Sequence, residues 1–225
     1  MQSKGITFTL RALAHLLRYP DATMRTHLTD IHTALNAEDA IGRVRRAELD
    51  ALMDRLLTDG LDAEAVYVDL FDRGRGTALH LFEHVHGDSR DRGPAMVDLV
   101  QTYEAAGLLL EPTELPDHLT VLLEYASTQP TPEARAFVGE FAHILQSIHA
   151  ALARRQSDYA AVVAAVLDLS GQPLDAKAAV PADEPLDESW EEPQAFGGCS
   201  TEGQAAPGPK PIQLIRRQPS AGAAR

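Results

Sequence analysis

Cysteine is nearly absent from this chain. Cys199 is the only one in 225 residues, so no internal disulfide forms and no cage of thiolates can hold a metal ion. Lysine is scarce too: Lys4, Lys177 and Lys210 are the only three, and none closes a G-x-x-x-x-G-K-[ST] phosphate loop. Neither G-x-G-x-x-G nor G-x-S-x-G occurs, which leaves nucleotide and serine-nucleophile chemistry without a foothold. Aromatic residues make up 5% of the chain, too few for a typical sandwich or barrel. The longest unbroken apolar run, Tyr159 to Leu167, is nine residues, against the ~20 needed to span a bilayer. Met1 to Leu10 holds no apolar stretch of the secretory kind. These absences lead us to expect a protein that stays in the reducing cytoplasm, with no direct membrane insertion.

Positive charge is the last shortage. Lys and Arg total 20 against 33 Asp and Glu, a net charge of −13 and a pI near 5.0. Such a surface repels phosphate backbones and anionic lipid, so nucleic acid and membranes are poor partners. It steers in a cationic peptide instead, more strongly at low salt.

What is present is alanine, leucine and helical spacing. From Ile6 to about Ser170 the apolar residues recur at three and four, which predicts an all-α, single helical-bundle domain over residues 1–170. Ile6, Leu10, Leu13 and Leu17 mark a first helix that Pro20 ends. Met24, Leu28, Ile31 and Leu35 mark a second. Ile41, Val44, Leu49, Leu52 and Leu56 carry a third to Gly60, a glycine suited to a left-handed C-cap. Asp62 is expected to cap the next helix, with Val66, Tyr67, Leu70 and Phe71 inward, before the break Asp72-Arg73-Gly74-Arg75-Gly76.

Helical spacing resumes at Thr77 through Leu79, Phe82 and His86. Asp88 or Ser89 is expected to cap a helix through Met96, Leu99, Val100 and Tyr103 that closes at Gly107. Leu108 to Pro116 reads as a loop and Asp117 to about Ala126 as a helix. Glu133 to Arg155 and Asp158 to Leu169 then complete the bundle. Beyond Gly171 the composition shifts: 8 of the 14 prolines and 6 of the 15 glycines fall in residues 171–225. A Pro/Gly-rich, mostly disordered C-terminal tail is expected there, since too little apolar surface is available to offset the entropy of ordering.

Four constellations bear on function. His80-Leu81-Phe82-Glu83-His84 matches H-x-x-E-H, in which two histidines on one helical face hold a catalytic zinc. A five-letter pattern arises easily in a chain with nine histidines, and a third ligand and a substrate cleft are also required. Tyr67, Leu70 and Phe71, at i, i+3 and i+4, share one helix face. They serve as core, as the floor of a groove for an amphipathic peptide, or as both.

Glu114-Leu115-Pro116-Asp117-His118 joins a loop to a helix start, where proline and aspartate are favoured for local reasons. The functional alternative makes Glu114 and Asp117 an anionic rim for a basic ligand. Glu83, His84, His86, Asp88, Arg90, Asp91 and Arg92 form a dense polar run. It is either a solvated junction with ion pairs worth at most about 1 kcal/mol each or, with Arg73 and Arg75, a surface for a phosphate-bearing cofactor. Arg216-Arg217 resembles a twin-arginine pair but lies too late in the chain to serve export.

Three longer blocks carry a family resemblance. Tyr67 to Arg75, Leu81 to Gly93 and Ala95 to Leu99 closely resemble the NarJ nitrate reductase chaperones. Leu16-Leu17-Arg18-Tyr19-Pro20, Leu115 to Leu119 and Leu123-Glu124-Tyr125 look like the same family. The resemblance covers essentially the whole helical region, and its long polar block Phe82 to Gly93 is far more specific than any short motif.

The resemblance implies an all-helical, non-catalytic chaperone of the redox-enzyme maturation class. Such a protein binds the N-terminal leader of the apo catalytic (alpha) subunit of respiratory nitrate reductase. It keeps no cofactor stably itself, and assists insertion of bis-molybdopterin guanine dinucleotide into the client before membrane docking. In the wider family an aromatic-x-x-L-F motif and an E-P-x-D-H loop are associated with leader binding. They correspond here to Tyr67, Leu70 and Phe71, and to Glu114, Pro116, Asp117 and His118, with Leu115 standing where the wider family has proline. Two rivals remain at this point: a chaperone for a dimethyl sulfoxide or trimethylamine oxide reductase, and a zinc hydrolase built on His80, Glu83 and His84.

Overall fold

The computed structural model describes residues 5–87, 89–172 and 174, all within one compact unit. Eleven α-helices are seen among them: α1 (Thr7–Leu16), α2 (Ala22–Thr26), α3 (Leu28–Ala37), α4 (Arg43–Asp59), α5 (Leu61–Tyr67), α6 (Leu81–His86), α7 (Arg92–Ala105), α8 (Leu119–Thr128), α9 (Thr131–Glu140), α10 (Ala142–Arg154) and α11 (Ala160–Ser170). A π-turn (Val68–Asp72) and a 3₁₀ turn (Arg75–Thr77) join α5 to α6. The only β-type pairing among the described residues is an antiparallel bridge between His80 and His118. The all-α expectation holds. The expected tail, with Cys199 and the Arg216-Arg217 pair, lies outside the described residues.

α11 is the centre of the bundle. Every residue from Ala161 to Leu167 is buried, the state expected of a helix apolar all round. Its alanines let α9 and α10 approach on one side and α1 and α4 on others. α1 in turn packs on α3 and α8, contributing Leu10, Leu13, Leu16 and Leu17 to the core. α1 has no side-chain cap of its own. The Glu38 carboxylate, just past α3, supplies one by accepting from the Thr9 amide at 2.9 Å and the Thr9 hydroxyl at 2.8 Å. α7 is held by a separate small cluster of Leu99, Tyr103 and Val121, with Phe82, Tyr125 and Phe137 against it.

Several expectations are corrected. The second predicted helix is two, α2 capped by Asp21 through the Met24 amide at 2.7 Å, and α3 beginning after His27. Asp62 caps nothing, because α5 starts directly from Gly60, whose φ of +55° turns the chain between α4 and α5. Val44 and Val66, assigned inward by periodicity, are 76% and 53% exposed. The α7 cap position belongs to Asp91 and not to Ser89, whose hydroxyl instead accepts from the Asp91 amide at 3.2 Å; Asp88 lies outside the described residues. The stretch 133–155 breaks at Phe141 into α9 and α10, both of which pack on α11. Ala134, Val138, Leu145, Ile148 and Leu152 keep helical spacing across that break, so periodicity could not locate it.

Gly74, between the π-turn and the 3₁₀ turn, sits against the Leu70 carbonyl and the Thr77 hydroxyl, with Arg155 Nη1 2.9 Å from where a Cβ would stand. Gly74→Ala must therefore displace backbone. A loss of about 1–3 kcal/mol is expected for such overpacking, read as a lower urea midpoint at unchanged slope.

Candidate peptide-binding site

Tyr67 is the last residue of α5, and from Val68 the helix widens into a π-turn closed by the Arg73 amide on the Val68 carbonyl at 3.1 Å. The extra residue per turn changes which side chains share a face. Tyr67 and Phe71 stay together, ring centroids 4.7 Å apart, and both meet Tyr159, at 5.9 and 5.1 Å. The Tyr67 hydroxyl donates to the Leu17 carbonyl at 2.7 Å, and burial pushes its acidity well below that of a free tyrosine. Leu70 turns the other way. The expected single face of Tyr67, Leu70 and Phe71 is thus divided between two hollows.

The first is an aromatic cleft of about 290 Å³, where Tyr67 and Phe71 meet His80, Glu83 and His118. Residues of both predicted motifs come together here, along with one member of the polar run. The second is a larger apolar groove of about 680 Å³, floored by Leu52, Leu56, Val66, Leu70 and Tyr159. Asp59, Asp69 and Asp158 stand at its edges with Arg55 and Arg155. Arg55 pairs with Asp158 at 2.7 Å and Arg155 with Asp69 at 3.7 Å. From Asp50 to Asp72 the chain bears seven acidic residues and a single cation, Arg55. Of that run only Asp59 and Asp69 reach the groove, which is apolar below and rimmed by three carboxylates against two guanidinium groups.

Asp117 does not form an exposed rim. Its side chain has no solvent exposure, and its Oδ2 accepts from the Phe82 amide at 3.2 Å in the first turn of α6. Oδ1 lies 3.4 Å from His80 Nδ1, and Arg92 is 3.7 Å from Oδ2. Its carbonyl accepts from the Leu81 amide, as that of Leu79 does from Leu119. Asp117 thus clamps the start of α6 to the start of α8, and it shapes the cleft without lining it. Glu114 is exposed and borders a different hollow, beside Tyr103 and Tyr125. Pro116 is buried, its carbonyl accepting from the Tyr103 hydroxyl at 2.7 Å.

The two histidines flanking this clamp are driven apart. The hydrogen bond to Asp117 raises the pKa of His80 against the opposing effect of burial, while burial and the neighbouring His80 push His118 down to about 4. Their rings meet edge to face at 4.8 Å. A neutral His118 suits its place at the α8 N-terminus, where Nδ1 lies 2.7 Å from the Thr120 hydroxyl and accepts from the Thr120 amide at 3.4 Å.

The remaining polar-run residues do not converge. His84 Nε2 lies 2.8 Å from the Ala78 carbonyl, His86 packs on the Phe82 ring, Arg90 is exposed, and Arg92 is taken up by Glu83 and Asp117. His80 precedes α6 in extended conformation and so does not share a helical face with His84. Among the described residues no group of three His, Cys, Asp or Glu side chains is placed to hold a metal ion. Sequence reasoning missed Tyr159 and the groove floor of Leu52 and Leu56. It weighed His80 only as a metal ligand, although its aspartate partner is 37 residues away.

Two outcomes follow from the clamp. Asp117→Ala leaves the Phe82 amide and Arg92 without their buried acceptor, and a loss of about 3–5 kcal/mol is expected on removing one partner of such a pair, measured by urea unfolding. The histidines titrate with opposite sign. The share of stability from His80 is full below its ordinary value of 6.5 and fades as pH rises through the raised one. That from His118 is full above 6.5 and is lost as pH falls toward about 4. His118→Asn, which keeps a capping acceptor, should therefore lose less stability than wild type between pH 6.5 and 4 in the same assay.

The family model described as "Nitrate reductase delta subunit" matches residues 20–165. The chain is 42% identical over 201 residues to the nitrate reductase molybdenum cofactor assembly chaperone NarJ of Escherichia coli K12, covering 83% of this chain and 85% of that protein. It is 39% identical over 168 residues to the probable chaperone NarW of the same organism, covering 73% and 69%. It is 31% identical over 170 residues to the probable NarJ chaperone of Bacillus subtilis, covering 74% and 90%. Neither the other molybdoenzymes nor the zinc hydrolase is favoured by these relatives. The family model over residues 20–165 and identity along the greater part of the chain give one assignment: this chain belongs to the nitrate reductase delta subunit family, alongside the NarJ-type molybdenum cofactor assembly chaperones.

Proposed function

We propose that the chain is a non-catalytic, cytoplasmic assembly chaperone that binds the N-terminal leader of the apo catalytic subunit of respiratory nitrate reductase. It holds that subunit while bis-molybdopterin guanine dinucleotide is inserted, and no cofactor resides in the chaperone itself. The observation that carries this reading is the apolar groove beside Leu70, whose edge sets Asp59, Asp69 and Asp158 against Arg55 and Arg155. A leader with an apolar face and positive residues matches its floor and its carboxylates. Burying ~600 Å² of apolar area contributes about 15 kcal/mol gross, of which ordering the peptide and losing its free motion take the larger part. Micromolar to nanomolar affinity is consistent with that balance.

Tyr67 and Phe71 form the shared wall between groove and aromatic cleft through Tyr159, and Leu70 contributes to the groove floor. Asp117, Pro116 and His118 act by fixing the α6 and α8 ends that shape the cleft. Glu114 lies further off and adds negative field. Glu83 borders the cleft, while His84, His86, Arg90 and Arg92 hold the α6–α7 junction or face solvent.

Calorimetric titration with a synthetic peptide of the catalytic subunit's leader tests the reading. Val66 is 53% exposed on the groove, so Val66→Asp should weaken binding about tenfold or more, equivalent to at least 1.4 kcal/mol, while leaving the urea midpoint unchanged. Replacing Asp59 and Asp69 by Asn should weaken binding at low salt and do little at high salt. A leader that releases no heat with the wild-type chain, or a catalytic subunit that carries its normal molybdenum content in cells lacking the chaperone, defeats the proposal.

A further inference from the structure

The turn between α10 and α11 carries two polar side chains that the fold leaves without partners, and both residues line the apolar groove. Tyr67, Tyr103 and Tyr159 are the buried tyrosines among the described residues. The first two donate to the backbone carbonyls of Leu17 and Pro116, each at 2.7 Å. The Tyr159 hydroxyl is equally enclosed, yet it finds no hydrogen-bond partner among the described residues. A phenol buried without a partner destabilises the fold relative to phenylalanine, whose ring fills the same space. The chain keeps the less stable choice at a position whose ring borders the groove.

Gln156, on the same turn, is a second unfavourable choice. Its amide donates to the Ala153 carbonyl and the Ser157 amide to the Leu152 carbonyl, both at 3.0 Å. These are the paired bonds of a helix end whose left-handed position ordinarily holds glycine. Gln156 sits there with a φ of +53°, a conformation that its Cβ disfavours. Its side chain is exposed at the groove and makes no hydrogen bond among the described residues. Glycine would stabilise this turn but would bring no amide group to the groove.

We infer that Tyr159 and Gln156 donate hydrogen bonds to unpaired backbone carbonyls of the peptide seated in the groove, and so fix which way round it lies. This rests on the leader reading of that groove. A leader of apolar and positive side chains brings few acceptors other than its carbonyls. If it binds as a helix, only the last four of these lack an intrahelical partner, so donors on the α10–α11 turn hold its carboxyl end there. The floor of Leu52, Leu56 and Leu70 grips apolar side chains but does not distinguish one end of a helix from the other. Arg55 and Arg155 are already taken by Asp158 and Asp69, which leaves the phenol and the amide as the free donors at this end. A groove of about 680 Å³ gives the Tyr159 ring room to tilt until its hydroxyl meets the peptide, a side-chain adjustment common at interfaces.

Tyr159→Phe and Gln156→Gly in the full chain separate this role from a structural one. Each should raise the urea midpoint, the first by removing an orphaned hydroxyl and the second by relieving the left-handed backbone. Each should also weaken binding of the synthetic leader peptide, about fivefold for one lost hydrogen bond. A residue kept only for stability moves both readings in the same direction. A midpoint that Tyr159→Phe lowers or leaves alone means that the hydroxyl is already satisfied, for instance by a buried water, and overturns the inference. Unchanged leader affinity in either variant overturns it too and leaves the leader reading intact, whereas no binding by the wild-type chain defeats both. A nitroxide on the carboxyl end of the leader peptide should broaden the Gln156 and Ser157 amide resonances more than one on its amino end; the reverse order overturns the inference.

Discussion

The Asp117 carboxylate is the interaction on which the site depends. It lies among apolar helices with no exposure, and it is tolerated there because an amide in the first turn of α6, a histidine and an arginine surround it. Besides it, the ends of α6 and α8 are joined by the paired backbone around His80 and His118. The raised proton affinity of His80 and the shape of the cleft between Tyr67, Phe71 and Glu83 follow from that one buried charge, while His118 is kept neutral by burial and by His80 against the pull of Asp117. A residue that looks, by its charge, like a contact for a cationic ligand is in fact an internal fastener.

The π-turn gives the other half of the arrangement. By widening the helix at Val68–Asp72 it sends Leu70 to the groove and keeps Phe71 with Tyr67 and Tyr159. One short segment therefore walls two hollows of different character, one aromatic and polar, one aliphatic with a negative edge. Tyr159 lines the groove and packs against the Tyr67 and Phe71 rings of the cleft, so the two hollows share one packed layer.

Much of the fold was legible in the sequence because burial in helices imposes a period that apolar residues must obey. The ends of α4 and α7 fell where Gly60 and Gly107 stand, whereas α1 stops at Leu16, short of Pro20. Periodicity failed where the pattern does not register the geometry: across Phe141, where apolar spacing continues through a bend, and at Val44 and Val66, where apolar residues face outward. The candidate site was legible only in part. Tyr67, Phe71 and His118 do meet at one cleft. The burial of Asp117 was invisible, because its partners Phe82, His80 and Arg92 are 25 to 37 residues distant along the chain. The division of Leu70 from Phe71 was hidden as well, since i, i+3 and i+4 spacing presumes an α-helix and a π-turn leaves no mark in composition.

The buried state of α11 bears on how the molecule is made. Six consecutive residues, Val162 to Leu167, touch no solvent, so the helices around them lack their common centre until that stretch has left the ribosome. During synthesis α1, α4, α9 and α10 must wait with the apolar faces that they turn to α11 uncovered. A protein that guards an immature partner thus passes through its own unguarded interval, lasting about eight seconds or more at the ~20 residues per second that bounds translation from above, and ended only by the arrival of its central helix.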